Sequence, residues 1–185
     1  ARHDVAHPGW SFPARLRTAG SDTRAPIEIG WIIGPDGEIR FHLPLAEAPD
    51  HLVYAILASE DRTFREHSGV DVGAMVRAAL ANAESGTWSQ GGSTLTMQVV
   101  RTLTQEREKT LVRKLREMVL AVTIDDHLGK DGVLQMYLDA PYLGQRGGLS
   151  ICGFEAASLH YFGKHAADLT LAEARSHPRP MRWLV

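Results

Sequence analysis

Glu60 and Asp61 leave an apolar run, HLVYAILA, inside the stretch SEDRTFREHSGVD, and Phe64 and His67 follow close behind. At helical pitch Glu60, Phe64 and His67 fall near one face, while Asp61 points away from it. Glu60 then sits where a core meets a loop, and a carboxyl shielded in part by apolar neighbours is a suitable general base. Spacing alone favours a plainer reading, a surface acid beside a packing histidine at a helix end.

A second stretch is GGSTLTMQ, Gly91 to Gln98. Gly91 and Gly92 allow backbone to approach a ligand closely, and Ser93 or Thr94 can cap the helix that follows. The free amides of such a helix end suit a phosphate or diphosphate, although most Gly-Ser-Thr starts only cap a helix. The third is KTLVRKLRE, Lys109 to Glu117. Arg113 lies four residues and Lys114 three residues before Glu117, so both cations can flank one carboxylate. Such a cluster is either a solvated face worth roughly a few tenths of a kcal/mol per pair or a cationic cradle for a diphosphate. In the cradle, Glu117 orients the cations or helps hold a divalent ion. Arg101, Lys130 and Lys164, taken singly, read as surface cations, and Tyr137, Tyr142, Tyr161 and Phe162 as core and loop packing. His160 and Cys152 lack the ligand-spaced partners a metal site needs.

The elements that must position these groups are mostly helical. With 44% hydrophobic residues in 185, the chain suits one domain of ordinary size. Residues 1–44 read as a polar, Arg-rich leader followed by a β-hairpin, IEIGWIIGPDGEIRFHL, turning at Gly34-Pro35-Asp36-Gly37. Beyond Pro44 the pattern is helical. Asp50 can cap a helix through HLVYAILASEDRTF that breaks near Ser68-Gly69, and Asp71 can cap VGAMVRAALANAES, with Gly86 as its stop. A helix follows the Gly-Gly turn, then a long one from about Lys109 to His127 with a stop at Gly129. Asp131 opens GVLQMYLD; YLGQRGGLSICG reads as a loop before FEAASLHYFGK; and Thr170 with Glu173 fits a capping box. Pro178 and Pro180 forbid a helix in the tail.

Composition excludes some partners. A net charge of −2 argues against a nucleic-acid binder that works through bulk charge, and the single cysteine, Cys152, rules out an internal disulfide. No apolar run approaches the roughly 18 residues of a membrane span, and Ala1 does not begin a signal peptide. If the parent protein is tethered to a membrane, its anchor is expected outside this chain.

The order of the motifs is more specific than any one of them. EDRTFREHSG, GGSTLTMQ, RKLRE, KDGVLQMYLD and GFEAASLHYFGK resemble, in sequence, the five motifs of the peptidoglycan glycosyltransferases, glycosyltransferase family 51. These are the polymerase domains of class A penicillin-binding proteins and of monofunctional transglycosylases. The resemblance covers about Leu45 to Ala174, so residues 45–175 are expected to form the domain and 176–185 a divergent or truncated tail. It implies a mainly α, lysozyme-like lobe with a small jaw lobe that touches the membrane. It also implies polymerisation of lipid II into glycan strands with inversion and release of undecaprenyl diphosphate.

The resemblance further assigns roles by position. It makes Glu60 the general base for the acceptor hydroxyl, and places Glu117, Arg113 and Lys114 at the leaving diphosphate, with Glu117 also a candidate ligand for a divalent cation, Mg or Mn. Arg101 and Lys109 fall at phosphate-contacting positions. Gly92, Ser93, Thr94 and Gln98 line the donor site, and Asp61, Phe64 and His67 belong to the substrate-binding motif around the base. Implied partners are lipid II, the growing strand, the membrane surface, a transpeptidase domain and cell-wall synthesis proteins, with no nucleic acid. The implied place is the periplasmic or extracellular face of the bacterial inner membrane. Two departures stand out: Asp139 replaces a usual asparagine, and RSHPRPMRWLV replaces an apolar helix at the end. Competing expectations are a lysozyme-like hydrolase or lytic transglycosylase, and an inactive, truncated precursor-binding domain.

Overall fold

A computed structural model of the chain describes residues 37–87, 91–104 and 110–176. Its frame is helical: α1 (Asp50–Glu60), α2 (Val72–Ser85), α3 (Leu95–Thr104), α4 (Leu111–Asp139), α5 (Phe154–Phe162) and α6 (Leu171–Ser176). Beside the helices lies a small sheet of β1 (Glu38–Arg40), β2 (Tyr142–Arg146) and β3 (Leu149–Cys152) in the order β1-β3-β2. The mainly α, lysozyme-like expectation holds.

The sheet is arranged differently from the expected hairpin. The first run, 27–36, lies outside the described residues, as do the leader and residues 177–185 of the tail. The second run forms β1, which pairs in parallel with β3, Ile39 opposite Ile151. The segment read as a loop is itself an antiparallel hairpin, β2 with β3, turning at Gly147-Gly148. Its burial does not alternate: Leu143 and Ile151, away from the turn, enter the core while Gln145 and Arg146 next to the turn face out. Cys152 closes β3, and burial pushes its thiol up to about 11, so it behaves as an inert small hydrophobe.

The main core joins Leu52, Ile56 and Phe64 to Leu95 and Val99 of α3, to Val133, Leu134, Tyr137 and Leu138 of α4, and to Phe154 of α5. A smaller cluster, Met97, Val100 and Ala121, packs α3 on the first half of α4. Local signals explain most helix ends. Asp71 caps α2 by accepting from the Ala74 amide at 2.7 Å and from the Thr63 hydroxyl at 2.8 Å. The Ala74 bond, then the Thr63 bond, hold its carboxyl below the usual value. The Thr170–Glu173 capping box forms reciprocally, at 2.8 Å from the Thr170 amide and 3.4 Å from the Glu173 amide.

Two helix readings need correction. Asp50 is the first residue of α1, Pro49 stands at the cap, and no side chain caps that end. The helix also stops at Glu60, so Glu60, Phe64 and His67 do not share a helical face. Asp61 turns away at φ −160°, ψ 83° because its carboxylate serves another helix. By contrast, Gly129 breaks α4 as expected: it adopts φ 65°, ψ 176°, and helix resumes beyond it. Asp139 closes α4, and its extra charge is absorbed locally. One carboxylate oxygen accepts from the Leu43 amide at 2.9 Å, the other from Gln135 at 3.0 Å and faces His42 at 2.6 Å. It therefore ties α4 to the segment after β1, at the far end of the helix from Glu117.

Candidate active site

Glu60 is the last residue of α1, partly exposed at the edge of the core. The Gln98 amide donates to Glu60 Oε2 at 2.9 Å and so orients the carboxylate from α3. Gln98, expected to line a donor site, has its side-chain bond with the candidate base. One turn further along α3, Arg101 donates to Glu117 Oε1 at 2.8 Å. Residues three apart share a helix face, so α3 carries the link to the base and the link to the cationic cluster side by side.

Glu117 is 3% exposed and is enclosed by cations. Arg113 donates to Oε2 at 2.6 Å, and Lys114 stands 3.6 Å from Oε1. Lys114 also donates to Ser93 Oγ at 2.7 Å, which joins the second and third motifs in space. Burial lowers the Lys114 pKa, an effect that the Glu117 charge opposes. Three cations around one carboxylate leave a surplus of positive charge, and an anion of two or more charges would complete it. The donor set does not by itself fit a divalent ion, because both Glu117 oxygens already accept from guanidinium groups. Among the described residues no three His, Cys, Asp or Glu side chains converge elsewhere. Lys109 lies outside the described residues.

The remaining expected site residues form the wall behind this surface. Asp61, read as pointing away, is 7% exposed and points inward. It accepts from the Leu95 amide at 2.9 Å and pairs with His67 Nε2 at 3.0 Å. A carboxylate on the first free amide of α3 also meets the positive end of that helix dipole. Phe64 is 1% exposed and packs edge-on to His67, with ring centroids 6.2 Å apart. Thr94 is 3% exposed; its hydroxyl donates to the Gly69 carbonyl at 2.6 Å and accepts from the Met97 amide at 3.2 Å, which caps α3. Gly92 has a packing role, since a Cβ there would come within 2.8 Å of the Met75 backbone on α2.

Gly69 brings the loop after Glu60 against α4. It sits at φ 79°, and a Cβ would lie 2.4 Å from the Ala121 carbonyl oxygen, one turn beyond Glu117. Gly69→Ala is therefore expected to combine backbone strain with a clash against backbone, at a cost of roughly 2–5 kcal/mol. A denaturant midpoint close to wild type would contradict this packing.

Two groups escaped the sequence reading. Lys130, read as a surface cation, donates to Asp125 Oδ1 at 2.7 Å and lies 4.7 Å above the Phe64 ring. Asp125 is 8% exposed and also accepts from the Thr96 hydroxyl at 3.4 Å. Their separation of five matches no helical pairing rule, so only the break at Gly129 brings them together. Tyr137, read as packing, is buried with an unbonded hydroxyl; burial and then the nearby Glu60 charge raise its pKa.

Comparison with known proteins gives the family. The transglycosylase family profile matches residues 28–176. The chain is 42% identical to penicillin-binding protein 1B of Escherichia coli over 146 residues, 79% of this chain and 17% of that protein. It is likewise 42% identical to penicillin-binding protein 1A of Aquifex aeolicus over 135 residues, 73% of this chain and 18% of the relative. Penicillin-binding protein 1A of Neisseria gonorrhoeae is 42% identical over 146 residues, 78% of this chain and 18% of its own. The chain thus spans less than a fifth of the length of these relatives. With a carboxylate at the edge of the core, a cationic cluster one turn away along α3, and a profile match over most of its length, this chain belongs to the transglycosylase family, the peptidoglycan glycosyltransferases.

Proposed function

We propose that this chain polymerises lipid II into glycan strands and releases undecaprenyl diphosphate. The observation that carries the reading is that neighbouring turns of α3 bond both centres: Gln98 donates to Glu60 of α1, and Arg101 to Glu117 of α4, which Arg113 and Lys114 flank. Inverting transfer needs a base on the face opposite the leaving group, with room for the nucleophile between the two centres. In inverting glycosidases that gap is about 6.5–9.5 Å, and here an acceptor sugar hydroxyl takes the place of water. Glu60 accepts the hydroxyl proton as the oxygen attacks the anomeric carbon. The bond to the diphosphate breaks, and Arg101, Arg113 and Lys114 stabilise the charge that develops on its oxygens. A diphosphate already leaves well, so the clamp largely replaces a general acid.

The substrate's lipid tail calls for an apolar neighbour. Leu111, Val112, Leu115 and Val119 are exposed on the first half of α4, at 85%, 66%, 62% and 66%, beside the cationic cluster. Val72, Val76 and Leu80 are exposed on α2. No helix among the described residues is long and apolar enough to cross a membrane, but an apolar stripe of this kind suits a bilayer surface. Residence on the outer face of the inner membrane, and work alongside a transpeptidase domain or cell-wall synthesis proteins, follow as parts of this proposal.

The test is formation of glycan strands from purified lipid II, competed by inorganic diphosphate. Turnover with inhibition by diphosphate is the expected outcome. Release of soluble sugars from purified peptidoglycan, with no product from lipid II, would instead make the chain a lysozyme-like hydrolase.

A further inference from the structure

We infer that Lys130 is a positioning residue for the transfer reaction, one that fixes the loop carrying the base against both halves of α4 across the Gly129 break. The inference rests on the function proposed above. Lys130 begins the helix beyond Gly129, while Asp125 lies in the last turn of the one before it. The Lys130 ammonium donates to Asp125 Oδ1 at 2.7 Å and also to the main-chain carbonyl of His67. It lies over the Phe64 ring as well, with its side chain 21% exposed. One cation therefore holds three things together: the arm of α4 that carries Arg113, Lys114 and Glu117, the arm that enters the core, and the loop that begins at Glu60.

The rest of that loop is held at other points. Asp61 fastens its start to the Leu95 amide, and His67 folds back on Asp61. At its end Gly69 touches Ala121 and accepts from Thr94. These contacts tie the loop to α3 and to the first arm of α4. Phe64 in the core and an exposed Arg65–Asp131 pair at 3.5 Å reach the second arm. Among the described residues, Lys130 adds the one buried-side polar tie to it that also bonds the first arm. Gly129 has no side chain to stiffen the break and nothing within 4 Å of where a Cβ would stand. Core packing sets the coarse angle between the two arms; the Lys130–Asp125 link spans the break itself and fixes its fine adjustment, and with it the distance from Glu60 to the cationic cluster. A misplacement of about 1 Å at such a pair of centres is enough for roughly a hundredfold loss of rate. The diphosphate clamp itself needs only residues of α3 and the first arm, so Lys130 acts on the relation between the centres and not on either alone.

The experiment compares Lys130→Met, Lys130→Arg and Asp125→Asn with wild type for kcat and KM on lipid II, for the inhibition constant of inorganic diphosphate, and for thermal melting. Lys130→Met is expected to lower kcat by about 10- to 100-fold, with KM and diphosphate inhibition within about threefold. Lys130→Arg keeps the cation on a bulkier, planar head and is expected to recover at least part of the kcat that Lys130→Met loses. A Lys130→Met protein that melts cooperatively above the assay temperature and turns over like wild type overturns the inference. So does a kcat loss that Lys130→Arg fails to recover. If Lys130→Met does not fold, because Asp125 is left as a buried unpaired charge, Asp125→Asn decides: a severalfold loss of kcat at unchanged KM supports the role, and wild-type kcat refutes it. Wild-type protein that makes no glycan from lipid II would refute the proposed function first, whatever the variants do.

Discussion

Glu60→Gln is expected to slow glycan-strand formation from lipid II by about 10²–10⁴-fold, the range that one positioned general base supplies, while the protein melts within roughly 2 °C of wild type. The two side chains have the same shape. A glutamine oxygen can still accept from the Gln98 amide that now bonds Glu60 Oε2 at 2.9 Å, and the site is partly exposed, so no buried partner is stranded. What is lost is the capacity to take a proton from the acceptor hydroxyl. KM for lipid II should move little, because the removed interaction develops only in the transition state. Steady-state kinetics with labelled lipid II reads both constants; a variant with wild-type kcat would remove Glu60 from the role of base.

Glu117→Gln should act in the opposite way, on stability at least as much as on rate. The carboxylate is 3% exposed and accepts from Arg101 and Arg113 at 2.8 and 2.6 Å, with Lys114 at 3.6 Å. Neutralising it leaves three cations facing one another at a partly buried site, and loss of one partner from a buried ion cluster typically costs about 3–5 kcal/mol. For a domain of this size that is a fall in melting temperature of roughly 6–20 °C. Inorganic diphosphate should recover part of the fall, because it restores negative charge to the same cations and binds only the folded state. Differential scanning calorimetry with and without diphosphate makes the comparison. Equal melting of variant and wild type in both conditions would show that Glu117 does not hold the cluster together.

These two carboxylates illustrate how differently the sequence reveals its parts. Glu117, Arg113 and Lys114 were legible from spacing because they share one unbroken helical turn, where three- and four-residue separations are contacts by geometry. Arg101 was legible only through the order of motifs, since its link to Glu117 joins two helices. The helix caps at Asp71 and Thr170 were legible for the same local reason, as was the break at Gly129. The loop read before α5 is a hairpin that the sequence hides, because its strands are short, do not alternate in burial and are interrupted by glycines. The partner of β1 was beyond sequence reasoning, as it arrives more than a hundred residues later.

What the amino-acid sequence determined by itself is the set of chemical groups, their helical neighbours, and the family that orders them. Local hydrogen bonding and helical pitch act over a few residues and leave their mark on the string. Only the tertiary structure decided that Asp61 faces inward to Leu95 and His67, that Gln98 orients Glu60, and that Gly69 and Gly92 are small to let backbone meet backbone. It also turned Lys130 from a surface charge into a tie between two arms of a helix. Each of those contacts joins residues that no local rule pairs, and each exists because burying the common core brings α1, α3 and α4 to one place.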